Sequence, residues 1–313
     1  MVDCIKWKDE NKIIHSGKTI ININDTNIID CKVCGFKHAI PLPSEDMLRE
    51  YYKEKYYEQE RKIDYAEKQK KQEKWWGRIY SDRLKKFEDI LGKKGRILDI
   101  GCGPGFFIKK AQELGWLTTG IEPSEKASNY AINNLRLDIH KVDIENILEC
   151  NFDLKYFDVI YSHGVLEHMR NPNLFFLNAK KLLKDGGLIF YSVANDFSPI
   201  QNIMLDNYDI NPWWVLVPEH LNYFDKASSE RIAQNHGFSI ENATSTFPID
   251  IFLLMGDNYI SEKKLGPEVH SKIVKFENAV LNSNKKNLLE DMYKKFYEIG
   301  IGRQLEIIAS KRI

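Results

Sequence analysis

The sequence predicts an α/β fold: a largely parallel sheet covered by helices, with a β-rich amino-terminal segment ahead of it and helical insertions within it. Three observations carry that prediction. The stretch Arg96-Ile97-Leu98-Asp99-Ile100-Gly101-Cys102-Gly103-Pro104-Gly105-Phe106-Phe107 reads as a buried strand, a glycine turn and a helix start. A central parallel strand wants such a short apolar run, and glycines permit positive φ and close backbone approach. Downstream, short apolar runs alternate with segments of helical periodicity, the pattern of strand–helix–strand units. The turn also lies where open sheets bind ligands, beyond the carboxyl end of a strand and against the first N–H groups of a helix.

Residues 1–43 hold Cys4, His15, Cys31, Cys34 and His38 among short β-like runs such as Thr19-Ile20-Ile21-Asn22-Ile23. Residues 44–74 read as one long helix or two, with Ser44 as N-cap and Glu45 and Asp46 placed favourably in the first turn. Tyr51, Tyr52, Tyr56, Tyr57 and Tyr65 are interspersed with charges there, and the basic run 68–74 is a solvated helix face. Residues 82–91 form the helix leading into the first strand. After the glycine turn, Ile108, Ala111 and Leu114 recur at helical spacing. A second strand, 118–121, ends in Glu122-Pro123-Ser124, and a third, 140–142, ends at Asp143 and Ile144. A fourth, 157–161, is followed by Ser162-His163-Gly164-Val165-Leu166-Glu167-His168. Lys184-Asp185-Gly186-Gly187 stops a helix and opens the fifth strand, which runs to Val193. An insertion rich in Asn, Pro and aromatics spans 195–226 and leaves the fifth strand at its carboxyl end, where it is expected to wall the ligand pocket. Residues 228–236 make a helix closed by Gly237, and 238–246 a sixth strand. A second insertion, 247–302, carries helices over 266–281 and 286–299; it reads as a lid over that pocket or as the surface of a homodimer. Residues 303–310 are the seventh strand.

Composition narrows the function. The 313 residues are 43% apolar and 29% charged, as in a soluble globular chain with a sizeable core. Lys+Arg and Asp+Glu are equal at 45 each, so neither the basic field of a nucleic-acid binder nor an acidic tail is present. No apolar run approaches the roughly 18 residues that cross a bilayer. The amino terminus has no signal pattern, and a cytoplasmic protein without membrane attachment is expected. Cys4, Cys31, Cys34, Cys102 and Cys150 are odd in number and unevenly spaced, unlike a secreted disulfide framework.

Spacing separates the ligands a glycine turn binds. A dinucleotide fingerprint is G-x-G-x-x-G, with pyrophosphate on the helix N-terminus. Here the last glycine comes one residue early and an acid precedes the first, as Asp99-x-Gly101-x-Gly103-x-Gly105. In this form the stretch resembles motif I of class I S-adenosylmethionine-dependent methyltransferases. The resemblance implies a Rossmann-like seven-stranded methyltransferase sheet over 92–313, a helical cofactor-covering segment over 44–91, and S-adenosylmethionine as methyl donor. It sets Asp99, Gly101, Cys102, Gly103, Gly105 and Phe106 against the cofactor, Glu122 and Pro123 at the ribose, Asp143 and Ile144 at the adenine, and Ser162 and His163 beside them. Glu122 suits a ribose because an ionised carboxylate is acceptor-only, with two oxygens for two hydroxyls. Each acid also has an ordinary use: Glu122 as a solvated strand end, Asp143 as a turn residue, Asp158 as a cap. Their series on successive strands favours the cofactor. Trp76, Tyr80 and Arg83 either pack in the core or line the site.

Cys31-Lys32-Val33-Cys34-Gly35 has knuckle spacing, which presents two thiolates to one zinc ion and leaves a closed structural site two ligands short. With no second Cys-x-x-Cys, the expected set is Cys4, His15, Cys31 and Cys34; the alternative is a metal-free remnant of the ribbon. Residues 1–43 are similar to the zinc-ribbon-like segments that precede the core in bacterial sugar C-methyltransferases. Methyl transfer from a sulfonium to a hydroxyl or acidic carbon needs an in-line nucleophile and a base. Histidine, with an unperturbed pKa of about 6.5, suits that role. His163, His168 and His220 are the candidates. Glu219-His220 followed by Tyr223 resembles the Glu-His-x-x-Tyr element of sugar C-methyltransferases, and Leu166-Glu167-His168 the segment that supplies a second active-site histidine there. His220 is therefore the expected base, with Glu219, His168 and Tyr223 as its companions. The implied acceptor is a sugar, sugar nucleotide or surface-glycan precursor of polysaccharide biosynthesis. The glycine spacing disfavours an NAD-dependent oxidoreductase. Balanced charge and the lack of an Asn-Pro-Pro-Tyr or Asp-Pro-Pro-Tyr signature disfavour an RNA-modifying enzyme or a non-catalytic ribbon adaptor.

Overall fold

A computed structural model describes residues 4–9, 12–23, 25–51, 65–208 and 210–312; Tyr52, Tyr56 and Tyr57 lie outside them. The chain opens with strands β1 (Cys4–Lys8), β2 (Ile14–Ile23), β3 (Thr26–Cys31) and β4 (Lys37–Ile40). Helix α1 (Glu45–Glu50) follows, where the Ser44 hydroxyl accepts the Met47 amide at 3.2 Å as the expected cap. Next come α2 (Tyr65–Lys71) and α3 (Glu73–Leu91). The leading helix α3 thus begins at Glu73, well before residue 82, and Tyr80 extends upstream the buried face made by Arg83, Leu84 and Phe87.

The alternation that follows is β5 (Arg96–Ile100), α4 (Phe106–Glu113), β6 (Leu117–Ile121), α5 (Glu125–Leu135), β7 (Ile139–His140), a 3-10 helix (Ile144–Cys150), β8 (Phe157–His163), α6 (Asn173–Leu182) and β9 (Leu183–Ala194). The remainder is α7 (Pro199–Asn207), β10 (Asn222–Tyr223), α8 (Lys226–Asn235), β11 (Phe238–Ser245), α9 (Ile251–Leu254), α10 (Leu265–Asn282), α11 (Lys286–Glu298) and β12 (Gln304–Lys311). The expected seven-stranded sheet is present, ordered β11-β12-β9-β8-β5-β6-β7, with β5 parallel to both β6 and β8. Two features differ from expectation. The third strand is only Ile139–His140, because the Asp143 carboxylate accepts the Glu145 amide at 2.9 Å and turns the chain into the 3-10 helix. The amino-terminal sheet gains a fifth strand from the insertion after β9, in the order β1-β2-β3-β4-β10.

Contacts divide the chain into two compact units. The first comprises Met1–Pro41, Ser192–Ile232 and Ile240–Ile307; the second comprises Leu42–Tyr191, Ala233–Ser239 and Ile308–Ile313. In the second, Tyr161 of β8 is stacked between Phe107 of α4 and Phe190 of β9, with ring centroids 3.7 and 4.6 Å away. Tyr80, Leu84 and Phe87 of α3 complete that core. In the first, Phe197, Trp214 and Tyr223 pack with Ile28 and Ala39 of β3 and β4. No described helix is long and apolar enough to cross a membrane.

Candidate active site

The second unit carries the glycine turn. Gly101, Gly103 and Gly105 all have positive φ. A Cβ on Gly101 would stand 2.5 Å from Val165 Cγ2, and one on Gly105 2.4 Å from Leu137 Cδ1, whereas a Cβ on Gly103 would meet nothing within 4 Å. Two of the glycines are thus demanded by packing, and the third leaves open space over the turn. The turn is hung on the end of β6: the Gly101 and Cys102 amides both donate to the Ile121 carbonyl, at 2.8 and 3.0 Å. The next residue is Glu122, buried, whose Oε2 accepts the Gly103 amide and whose Oε1 accepts the Ser124 amide, each at 2.8 Å. One carboxylate therefore fixes the glycine turn and the start of α5 together.

Asp99 lies beneath the turn at 2% exposure. Burial first, and then the charge of Glu122, holds its carboxyl well above the usual range, against the pull of the Arg83 guanidinium. The thiol of Cys102 is pushed up likewise, by burial and then by Asp99 and Glu122. Ile144, in the 3-10 helix, comes 3.6 Å from the Cβ position of Gly101. Phe106 meets Tyr130 in a tilted arrangement with centroids 5.9 Å apart, and Pro123 is exposed. Asp143 is exposed and caps the 3-10 helix, its Oδ1 accepting the Glu145 amide at 2.9 Å.

At the end of β8, Ser162 is fully buried with no hydrogen-bond partner for its hydroxyl among the described residues, and the ring of His163 meets Trp76 of α3 at 6.2 Å. Trp76 in turn stacks on Tyr80 at 5.5 Å. Tyr80 and Arg83 are core residues: the Arg83 guanidinium donates to the Tyr161 hydroxyl and lies over the Phe190 ring. His168 is half-buried in the turn after β8, where its amide donates to the Val165 carbonyl at 2.9 Å. The turn at Asn171 is held by Glu145, whose Oε1 accepts the Arg170 and Asn171 amides.

The first unit carries the acceptor-side residues. Glu219 and His220 are half-buried. The His220 amide donates to the Leu216 carbonyl at 2.7 Å, and the Tyr223 hydroxyl donates to the His220 carbonyl at 2.8 Å. Tyr223 is fully buried, and burial, followed by the charge of Asp196, raises its pKa. Its phenol thus holds the backbone of His220. A charged network that sequence reasoning missed stands behind it. Asp196 is fully buried, with Oδ1 3.0 Å from Arg303 Nη1 and Oδ2 without a hydrogen-bond partner. Arg303 Nε faces Asp250 Oδ2 at 4.0 Å, and Asp250 accepts the Tyr259 hydroxyl at 2.7 Å and the Gln201 amide at 3.2 Å. The only sequence signal was acids and an arginine among apolar residues, with no local spacing to link them.

The amino-terminal sheet gathers a metal-binding set: His15, Cys31, Cys34 and His38, whose ligand atoms lie within 4.8 Å of one another. His38, on β4, is the member of this set that the spacing did not single out. The backbone of Cys4 pairs with Lys18, three residues along β2 from His15. His15 Nδ1 lies 3.7 Å from Cys31 Sγ and 3.3 Å from Cys34 Sγ. Four ligands at zinc's bond lengths of roughly 2.0 to 2.3 Å would stand about 3.5 Å apart, so the set fits that ion. The supporting shell fits too. His15 Nε2 faces Asp9 Oδ2 at 3.5 Å, and His38 Nδ1 donates to the Ala39 carbonyl at 3.0 Å, which turns His38 Nε2 to the cluster. The Cys34 amide donates to Cys31 Sγ at 3.4 Å, closing the knuckle at Gly35, which has φ +77°. The Cys34 thiol's hydrogen bond pulls the Cys31 thiol far down and pushes its own up.

A family model described as a methyltransferase domain matches residues 68–243. Two ubiquinone biosynthesis O-methyltransferases are similar: that of Glaesserella parasuis is 36% identical over 117 residues, 35% of this chain and 49% of the relative. That of Coxiella burnetii is 33% identical over 119 residues, 36% of this chain and 50% of the relative. The matched stretch thus spans about half the length of these relatives. A solved S-adenosylmethionine-dependent methyltransferase from Archaeoglobus fulgidus superposes with a TM-score of 0.48 at 18% identity, covering 79% of this chain and 100% of its own.

Proposed function

Because the chain belongs to the methyltransferase-domain family, we propose that it transfers the methyl group of S-adenosylmethionine to an oxygen or carbon of a small-molecule acceptor, with His220 as the base. The observation that carries this reading is the glycine turn anchored by Glu122, open above Gly103 and bounded by a buried carboxylate. S-adenosylmethionine supplies an electrophilic methyl carbon on a sulfonium. Glu122 is assigned to the ribose hydroxyls, Asp143 and Ile144 to the adenine, and Ser162 and His163 to the cofactor where β8 ends. His220 takes the acceptor's proton as the acceptor atom attacks the methyl carbon and the C–S bond breaks. Glu219 and His168 are assigned to acceptor binding, and Tyr223 to holding His220.

The similarity to O-methyltransferases favours oxygen as the atom methylated. The Glu219-His220…Tyr223 element and the aromatic insertion around Trp213 and Trp214 favour a sugar, sugar nucleotide or surface-glycan precursor. His15, Cys31, Cys34 and His38 hold a structural zinc ion in this reading; chelator-free protein should contain about one equivalent. The cofactor is tested by calorimetric titration with S-adenosylhomocysteine against NADH. Binding of the first alone supports the proposal and leads to a screen of sugar nucleotides for methylation. Folded protein that ignores S-adenosylhomocysteine overturns it.

A further inference from the structure

The metal set and the candidate base are built into the same sheet. β10 pairs antiparallel with β4, so that Asn222 stands opposite His38 and Tyr223 opposite Lys37. The Ala39 amide donates to the Leu221 carbonyl at 2.9 Å. Contacts continue on both sides of this short ladder. The ring of Phe36 packs on Phe224 at 5.1 Å, Lys37 Nζ lies 2.8 Å from Asp225, and the Arg231 guanidinium donates to the Gly35 carbonyl. Every residue from Gly35 to Ala39 therefore has a partner in the stretch 221–231. Two paired residues make a marginal strand by themselves, so β10 leans on β4 as well as on the Asp196 amide, which donates to the Phe224 carbonyl at 2.9 Å, and on the packing of Tyr223 with Phe197 and Trp214.

β4 is laddered to β3 and also carries part of the ligand set. His15 comes from β2, Cys31 from the end of β3, Cys34 from the turn between β3 and β4, and His38 from β4 itself. A metal ion would cross-link these pieces at one point. β2 turns His15 inward at 8% exposure, against the rings of Trp7 and His38, while its neighbour Ile14 is 57% exposed.

We propose that the His15–Cys31–Cys34–His38 set is the mount for the His220 segment: metal occupancy fixes β4, β4 fixes β10, and β10 sets the backbone of His220. The four ligands are then positioning residues for a base they do not touch. This rests on the zinc and His220 assignments above. The cofactor residues lie in the other unit and belong to none of these strands, so S-adenosylhomocysteine affinity should not follow the metal.

The test needs no acceptor. Zinc is quantified in chelator-free full-length protein and then stripped with a chelator. Amide exchange over residues 220–224 and the rate at which diethylpyrocarbonate modifies His220 are measured in both states. Metal loss should speed exchange at these amides about 100-fold, while the amides of β5 keep their rates. His220 labelling should change at least about threefold, S-adenosylhomocysteine affinity staying within about twofold. His38→Cys, which keeps four ligands of zinc-compatible type, should restore the metal and the slow exchange; His38→Ala should restore neither. Zinc-loaded protein whose 220–224 amides and His220 labelling are unchanged on stripping overturns the mount and leaves the zinc assignment standing. Less than about a tenth of an equivalent of metal in chelator-free protein removes both.

Discussion

Replacing Glu122 by alanine tests the cofactor assignment at its strongest point. The carboxylate holds the Gly103 and Ser124 amides at 2.8 Å each, and in the proposed complex it also accepts two ribose hydroxyls. Hydrogen bonds to a charged group are worth about 1.5 to 3 kcal/mol each, so the gross loss from the ribose is about 3 to 6 kcal/mol. Part of that returns, because ribose hydroxyls that lose the carboxylate can hydrogen-bond to water in the space it leaves. A net loss of about 3 kcal/mol corresponds to roughly 100-fold weaker binding of S-adenosylhomocysteine. Titration calorimetry reads this directly, with thermal unfolding run alongside to show that the variant is folded. Glu122→Gln should fall between, since it keeps the volume and one acceptor oxygen. A folded Glu122→Ala protein that binds within about threefold of wild type refutes the ribose assignment.

Three further outcomes follow from the geometry. Gly105→Ala should destabilise the fold by about 2 to 3 kcal/mol, since φ is +85° and the new Cβ would sit 2.4 Å from Leu137, whereas Gly77→Ala, on the open surface of α3, should stabilise by up to about 1 kcal/mol. Denaturant titration of both variants checks this, and equal effects would count against it. Burial pushes the Asp196 carboxyl up to about 6 despite Arg303. The folded value lies above the unfolded one of about 3.9, so the stability Asp196 contributes is full below about pH 4 and is lost as pH rises through about 6. Asp196→Asn should erase that loss, about 3 kcal/mol, and its unfolding free energy relative to wild type should therefore climb between about pH 4 and pH 7; a constant difference would contradict the shift. His220→Ala should leave S-adenosylhomocysteine binding intact and slow methylation of an identified acceptor about 100-fold or more; undiminished turnover would remove His220 as base.

The strand–turn–helix at Asp99 to Phe107 was legible in the sequence because its causes are local. Apolar residues in a run make a buried strand, and glycines at Gly101 and Gly105 mark positions where positive φ and tight packing leave no other choice. Glu122 was legible for the same reason, since it ends a short apolar strand at the distance one helix requires. The Cys31-x-x-Cys34 knuckle is likewise a spacing within a single turn. Tertiary structure decided what depends on register between strands. Cys4 and His38 are both plausible fourth ligands as letters; only the pairing of β1 with β2 and of β3 with β4 sets one opposite Lys18 and brings the other to the cluster. The joining of β10 to the amino-terminal sheet links residues about 180 positions apart, and no periodicity reports a contact of that range. The ties of Asp196 and Asp250 to Arg303 and the donation of Tyr223 to the His220 carbonyl belong to the same class. Side-chain chemistry names the groups able to act, but which of them meet is fixed by burial and strand register, properties of the folded chain as a whole.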